Sequence, residues 1–325
     1  MTFTKLTAIS IGLIFLFSPL HANDTQMKKL LVLLESKDEY TSFSAAQSIV
    51  ALGESARPAV PELIKRLSTF SGDSMTGDEF LKLISGMGTV AVPGLIKALS
   101  DPDIHTRRVA CRVLAKMGPN AKDAIPSLIE LMSEPGHDIS HIAAYSLGEI
   151  GLPAMPYLLD ILRSEDEGLR VLVTEMSVRR VPTELNLENQ LLDIIQDPNE
   201  KPTTQKSAID ALGSLKLKNV ETVVSVLVEK LGESKANIGS AATHTLGKIG
   251  PIAAPEVMKV FKSKNSVARA WSTYAIKLMH PPIKEAVPGL IGLLKDNEPT
   301  VRYGAKFALE QIGTPEALEA VKRNP

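Results

Sequence analysis

The sequence repeats itself with a period close to 33 residues. The segment AVPGLIKALSDPDIHTRRVACRVLAKMG, which begins at Ala91, recurs as AIPSLIELMSEPGHDISHIAAYSLGEIG from Ala124 and as AVPGLIGLLKDNEPTVRYGAKFALEQIG from Ala286. A fixed period of this length is typical of repeat proteins, in which one repeat cannot bury its apolar face alone and stacks on its neighbours. The copies therefore predict a stack of small similar units along most of the 325 residues.

A proline near the start of the first helix marks most copies. These markers are Pro61, Pro93, Pro126, Pro156, Pro255 and Pro288, and their spacings are 32, 33, 30, 99 and 33. The interval of 99 is three periods, so it predicts two degenerate copies, which fit helices marked at Asn189 and Glu221. A further copy fits at Lys28. The pattern thus predicts nine helix pairs and a short closing helix near Pro315 to Arg323.

Local signals place the ends of the helices within each copy. Proline is tolerated in the first turn of a helix, where its missing N–H costs nothing. The expected N-caps of second helices are Asp38, Asp73, Asp103, Asp166 and Asn265. The expected C-caps of second helices are Gly53, Gly88, Gly118, Gly151, Gly250 and Gly313. Between such signals, the apolar positions Val301, Ala305, Ala308, Leu309 and Ile312 form the stripe of a helix that faces a core.

The segment from Ala286 to Gly313 resembles the HEAT-like repeat first described in phycobilin lyases, with its A-V-P-x-L-I and V-R-x-x-A-x-x-A-L-x-x-I-G patterns. The T-P-L-H-x-A pattern of ankyrin repeats and the W-L-G-Y pattern of tetratricopeptide repeats are absent. The resemblance implies an all-α, right-handed α-solenoid of about nine stacked antiparallel helix pairs, an armadillo-like helical architecture. It also implies that turn aspartates tie neighbouring repeats to the arginine of the V-R pair. The matching pairs are Asp101 with Arg107 and Asp296 with Arg302, whereas Arg170 and Arg269 lack the matching aspartate.

The first 22 residues differ in kind from the rest. Lys5 precedes an apolar run from Leu6 to Phe17, and a short polar segment ends at Ala22. This pattern predicts a signal peptide (residues 1–22) that is removed, followed by a single solenoid domain (residues 23–325) in the periplasm or outside the cell. The apolar run is short for a membrane span of about 20 residues, so an uncleaved anchor is the weaker alternative and no stable membrane insertion is expected after cleavage.

The resemblance implies that second helices line the concave face of the solenoid. The register then places two columns of side chains on that face, two and six positions after the valine position of the V-R pair. In the C-terminal half of the chain the first column includes Val171 and Lys206, and the second includes Glu175, Asp210, His244, Tyr274 and Phe307. Four of the eleven aromatic residues that follow residue 22 occur on the last two second helices at positions outside the core stripe: Trp271, Tyr274, Tyr303 and Phe307. Two interpretations stay open. The rings cap the open end of the stack and pack on the closing helix, or they bind an extended peptide or helix, since Trp and Tyr are favoured interface anchors.

Other candidate contacts in the same columns are Tyr145, His244, Arg108 and Arg112. Together with Lys82 the two arginines form a small basic cluster, for which a solvated charged face is the alternative interpretation. Glu175 and Asp210 follow in the columns, so the sequence does not predict a long basic track for nucleic acid. The formal net charge of −1 agrees with this expectation.

The stretch Gly136-His137-Asp138-Ile139-Ser140-His141 is close to the H-E-x-x-H zinc signature. A metal site would use His137 and His141, with His105 from the preceding repeat. The alternative assigns Asp138 to the first turn of a helix, where an acid complements the helix dipole. No third ligand is evident beside the two histidines, although a catalytic zinc normally has three protein ligands.

The remaining motifs favour a protein without catalytic chemistry. The chain contains no G-x-x-x-x-G-K-[ST], C-x-x-C or G-x-S-x-G motif, and no His-Glu dipeptide of the kind that binds iron in deoxyhypusine hydroxylases. The single cysteine, Cys111, cannot form an internal disulfide and sits at a small-residue position of a helix. We therefore expect an exported scaffold without cofactor that binds a protein or peptide. The alternative hypothesis is a lyase-like or metal-dependent enzyme on the same solenoid.

Overall fold

The computed structural model describes residues 24–70, 75–134, 137–177 and 187–324. Contacts between Cα atoms divide the chain into two compact units, Met1–Tyr157 and Leu158–Pro325, which are described separately below. The predicted signal segment and the predicted N-cap Asp73 lie outside the described residues. The single domain predicted for residues 23–325 stays a prediction.

The first unit consists of helix pairs. Its helices are α1 (Asp24–Leu34), α2 (Glu39–Val50), α3 (Val60–Ser68), α4 (Met75–Ser85), α5 (Val92–Leu99), α6 (Ile104–Met117), α7 (Ile125–Met132) and α8 (His137–Ile150). Helix α9 (Met155–Arg163) spans the boundary between the units. Within this unit, the first helices α3, α5 and α7 pack in series and the second helices α4, α6 and α8 do the same. The apolar core therefore lies between two layers of helices.

The second unit repeats the arrangement. Its helices are α10 (Glu167–Leu172), α11 (Leu187–Gln196), α12 (Pro202–Leu212), α13 (Val220–Lys230), α14 (Ile238–Ile249), α15 (Ala254–Lys259), α16 (Ser266–Leu278), α17 (Val287–Leu293), α18 (Pro299–Ile312) and α19 (Pro315–Arg323). The second helices α12, α14, α16 and α18 pack in series, and α19 covers α17 and α18. The described residues thus contain the nine predicted pairs and the closing helix.

Among the described residues, the prolines, N-caps and C-cap glycines predicted from the sequence lie at the ends of the observed helices. Each marker proline is the second residue of a first helix, as Pro61 is in α3 and Pro288 is in α17. The side chains of four predicted N-caps accept backbone N–H groups at the starts of second helices: Asp38, Asp103, Asp166 and Asn265. All six predicted C-cap glycines have positive φ, a backbone conformation that glycine adopts without steric cost. The five residues of the Val301 stripe are buried.

The fifth repeat departs from this regular pattern. Its second helix α10 has only six α-helical residues and continues as a π-helical turn, Val173–Ser177. Residues 178–186 follow this turn and lie outside the described part of the chain. The sequence gives no local signal for the change, because Asp166 caps the start of this helix in the ordinary way.

Candidate partner-binding surface

The four predicted aromatic residues of the last two repeats lie on neighbouring second helices, and we call them the aromatic strip: Trp271 and Tyr274 on α16, Tyr303 and Phe307 on α18. The ring centroids of Trp271 and Tyr274 are 5.9 Å apart, and those of Tyr303 and Phe307 are 4.3 Å apart with the rings edge to face. The Trp271–Tyr274 distance falls in the usual range of attractive aromatic pairs, and the closer Tyr303–Phe307 pair has the favoured edge-to-face arrangement. The four residues therefore lie on the helices to which the register assigns them, and their role as a binding site stays a prediction.

Small residues allow α14, α16 and α18 to approach closely beneath the strip. A Cβ at Gly304 would lie 2.1 Å from Oγ1 of Thr273 and 3.3 Å from the ring of Tyr274. A Cβ at Gly239 on α14 would lie 3.1 Å from the ring of Trp271. Each of the two α16 rings is thus seated against a glycine of an adjacent helix, and this contact limits its rotation.

The strip is partly buried at its base and open at its edge. Burial raises the pKa of the Tyr274 phenol, and the nearby phenol of Tyr303 raises it further. Tyr303 itself is 57% exposed. Lys277 places its ammonium group 4.9 Å from the centroid of the Phe307 ring, a cation–π arrangement. The closing helix α19 buries Ala317 and Ala320 but leaves Tyr303 accessible, so capping of the stack does not account for this ring.

His244 lies on α14, in the same column as Tyr274 and Phe307. Its side chain is exposed, and Nδ1 is 2.8 Å from the carbonyl oxygen of Ser240, one turn earlier. The imidazole is therefore held by its own helix, which packs against α16.

The candidate residues of the first unit form a different kind of surface. Nη2 of Arg108 lies 2.8 Å from Oδ2 of Asp138 on the following second helix. Nη2 of Arg112 lies 3.9 Å from Oδ1 of Asp78 on the preceding second helix. The predicted basic cluster therefore alternates with acids, and Asp138, the acid of the zinc-like stretch, pairs with an arginine. Tyr145 is half-buried on α8.

The histidines of the metal hypothesis lie on two second helices. His105 is exposed near the start of α6, and His141 is half-buried on α8. His137 begins α8, as the register predicts, but its side chain lies outside the described part. Among the described residues, no group of three or more His, Cys, Asp or Glu side chains could hold a metal ion.

Arginines of the V-R position bind the turn of their own repeat, and Arg269 also joins its repeat to the next one. In each case Nη1 of the arginine donates to a backbone carbonyl in the turn that precedes the arginine's own helix. The arginines that make this bond are Arg107, Arg170, Arg269 and Arg302. Arg269 also reaches forward to the next repeat, where both oxygens of Asp296 accept its guanidinium. Ser263 occupies the position of the matching aspartate in this repeat, so Arg269 pairs instead with the aspartate of the following turn. The expected pairing of the Asp296 carboxylate with Arg302 is wrong. The Asp296 carboxylate pairs with Arg269, whereas Arg302 binds the carbonyl oxygen of Asp296.

A polar groove along α10, α12 and α14 was not predicted as a site. It is a cavity of about 380 Å³ whose lining includes Val171, Glu175, Lys206, Asp210, Asn237 and Lys248. The first four belong to the two predicted columns, so the register does predict that they share a face. Asn237 lies outside these columns and stands out by its backbone, since it is a non-glycine residue with a φ of 60°.

No helix in the described ranges is long and apolar enough to cross a membrane.

Antiparallel helix pairs that stack in series, with prolines in the first helices and glycines after the second, define an α-helical repeat protein. The family model for HEAT repeats matches residues 92–179 and 188–277, together more than half of the chain. The protein belongs to the HEAT-repeat family. A comparison with curated protein sequences finds no match.

Solved structures with similar architecture include much longer proteins. Kap121p bound to Ste12p is 14% identical with a TM-score of 0.44, and the alignment covers 90% of this chain and 38% of Kap121p. Importin beta is 14% identical with a TM-score of 0.38, covering 93% and 50%. Human deoxyhypusine hydroxylase in complex with glycerol is 17% identical with a TM-score of 0.34, covering 89% and 96%. The chain thus spans about two fifths of Kap121p, and at these TM-scores the likenesses carry no conclusion about function.

Proposed function

We propose that this protein is a non-catalytic scaffold that binds a protein or peptide partner on the face formed by the second helices of its second unit. The observation that carries the proposal is the aromatic strip, in which four rings on two adjacent helices are at least partly accessible and Tyr303 is 57% exposed. Aromatic side chains bury a large area when a partner covers them, and Trp and Tyr are enriched among residues that dominate binding energy.

The packing beneath the strip favours binding, because a surface that is already ordered loses little entropy when a partner arrives. The glycine contacts of Tyr274 and Trp271 hold two rings in place before binding. Lys277 beside Phe307 adds a cation at the edge of the strip. A partner segment with apolar or aromatic side chains and an acceptor group for this lysine fits such a surface.

The proposal also places the mature protein in the periplasm or outside the cell, because residues 1–22 have the sequence pattern of a secretory signal. Mass spectrometry of the chain recovered from the exporting cell tests this part. A mature N-terminus at Asn23 is expected. A chain that keeps residues 1–22 in the cytosolic fraction would contradict it.

The binding proposal is tested by site-specific photocross-linking in the native compartment. A photoreactive phenylalanine analogue at Tyr303 is expected to give a discrete adduct, which mass spectrometry then identifies. The matched control is the same analogue at Tyr157, which is 43% exposed but lies on the first helix α9. An adduct at position 303 that disappears in the Trp271→Ala variant, with no such adduct at position 157, supports the strip as the anchor.

An unchanged set of adducts in folded Trp271→Ala would place the binding surface elsewhere. The enzyme hypothesis makes a separate prediction, stoichiometric metal in the purified mature chain, which elemental analysis measures directly. A bound metal that is lost in His141→Ala would replace the scaffold proposal with that hypothesis.

A further inference from the structure

The polar groove continues the aromatic strip on the same face of the second unit. Its lining residues Asn237 and Lys248 lie at the two ends of α14. Helix α14 also packs on α16, and the ring of Trp271 meets α14 at Gly239, two residues after Asn237. A ligand that covers the strip and extends past α14 therefore enters the groove directly.

The charged side chains at the centre of the groove already have hydrogen-bond partners within the protein. Nζ of Lys206 is 2.8 Å from Oδ2 of Asp210 on the same helix, α12. Nη1 of Arg170 donates to the carbonyl oxygen of Ser164 in its own turn. The Lys206–Asp210 pair is therefore neutral as a whole, whereas Arg170 keeps its positive charge with one N–H engaged by a neutral carbonyl.

The two walls of the groove carry charges of opposite sign. Glu167 and Glu175 are exposed on the α10 side, and Lys248 is exposed on the α14 side. Within the described part of the chain, no ion pair or hydrogen bond engages these three side chains. The exposed charges of the lining therefore change sign across the groove, from Lys248 on α14, the helix next to the aromatic strip, to Glu167 and Glu175 on α10.

The hydroxyl groups of the groove offer acceptors. Thr174 and Ser207 are buried, and each donates its proton to a carbonyl oxygen one turn earlier on its own helix. Ser214 makes the same kind of bond to Asp210. Because each proton is engaged, the oxygen lone pairs are the groups left to face a ligand, and they suit the N–H donors of a peptide backbone.

From these observations we infer that the groove is a charged subsite for an extended peptide segment of the partner, adjoining the apolar residue held by the strip. The segment carries an acidic side chain that meets Lys248 and then a basic side chain that meets Glu175 or Glu167. The order counted from the strip is apolar, acidic, basic. The net charge of the lining is near zero, which suits a segment of mixed charge better than a polyanion or a polycation.

Helix spacing sets the length of the segment. Packed helices lie roughly 10 Å apart, so α10 and α14 are about 20 Å apart across α12. An extended chain advances about 3.3 Å per residue, so about six residues span the groove, fewer where long side chains lean inward.

This inference rests on the proposed function, and its test separates the two. The photoreactive analogue is placed at Val171, which is 46% exposed on the α10 wall of the groove, and in a second strain at Tyr303. Tyr303 and Val171 lie four helix spacings apart, about 40 Å. Adducts at both positions to one partner, about twelve residues apart in its sequence and in the predicted charge order, support the subsite. An adduct at Tyr303 with none at Val171 overturns the subsite and leaves the proposed function standing. If neither position gives an adduct, both the subsite and the proposed function are overturned.

Charge reversal provides the second measurement. Lys248→Glu and Glu175→Lys are each expected to weaken binding of the cross-linked partner segment, made as a synthetic peptide, about tenfold. The matched controls Lys262→Glu and Glu229→Lys make the same charge changes at exposed positions outside the second helices and should leave the Kd unchanged. Equal Kd values for the groove variants and their controls would overturn the inference.

Discussion

Arg269 and Asp296 join the last two repeats through a bidentate ion pair, with Nε 2.7 Å from Oδ2 and Nη2 2.8 Å from Oδ1. The two side chains are only 15% and 9% exposed. Planar guanidinium groups match carboxylates in this geometry, and shielding from water strengthens the pair. The contact is therefore a candidate for the strongest polar link between these repeats.

Replacement of Arg269 is expected to destabilise the second unit. Arg269→Ala leaves the mostly buried Asp296 carboxylate without its main partner, and a loss of about 2 to 3 kcal/mol in the free energy of unfolding is expected. Urea denaturation followed by circular dichroism measures it. Arg323→Ala is the control, since Arg323 is 75% exposed in its pair with Glu319 and its loss should cost less than about 0.5 kcal/mol. Equal midpoints for the two variants would contradict the assignment.

The same pair predicts a pH dependence. Hydrogen bonds from Arg269 hold the pKa of Asp296 below its ordinary value of 3.8. A carboxyl group whose folded-state pKa is lowered stabilises the fold above the unfolded value, and this contribution is lost as the pH falls through the lowered pKa. The difference in unfolding free energy between the natural chain and Asp296→Asn should stay constant from about pH 5 to 8 and shrink below about pH 4. A difference that does not change down to about pH 2 would refute this.

Gly304 is expected to tolerate no side chain. In Gly304→Ala the new methyl group would meet Oγ1 of Thr273 at 2.1 Å, so α16 and α18 must separate. A loss of about 1 to 3 kcal/mol is expected, together with weaker cross-linking from Tyr303, because Tyr274 also has to move. Gly292→Ala is the control, since a Cβ at that position meets nothing within 4 Å. Its thermal midpoint should stay the same or rise slightly.

Cys111 is expected to be inert in the folded protein. It is fully buried on α6, and burial raises the pKa of its thiol to about 12. Thiolates are the reactive form, so a thiol reagent at pH 8 should label the native chain only as fast as it opens. Labelling of one thiol per chain is expected after unfolding in guanidinium chloride. Rapid labelling of the native chain would show that α6 is accessible at this position.

The repeat register could be predicted from the sequence because the residues that mark helix starts and ends act locally. Pro61 or Pro288 fixes a helix start, Asp103 caps a helix, and Gly118 ends one, whatever surrounds them. The register in turn placed the aromatic strip. By contrast, the partner of Arg269 depends on how far apart two repeats lie, and Asp296 is 27 residues ahead in the sequence. The polar groove depends on the π-helical turn after α10, for which no local signal exists.

The ion pairs of the first unit have a consequence for ionic strength. Arg112 holds Asp78 behind it and Arg108 holds Asp138 ahead, so α6 is attached to both neighbouring second helices by charge. Dissolved salt screens such exposed pairs. Added salt therefore weakens both of these links between α6 and its neighbouring second helices.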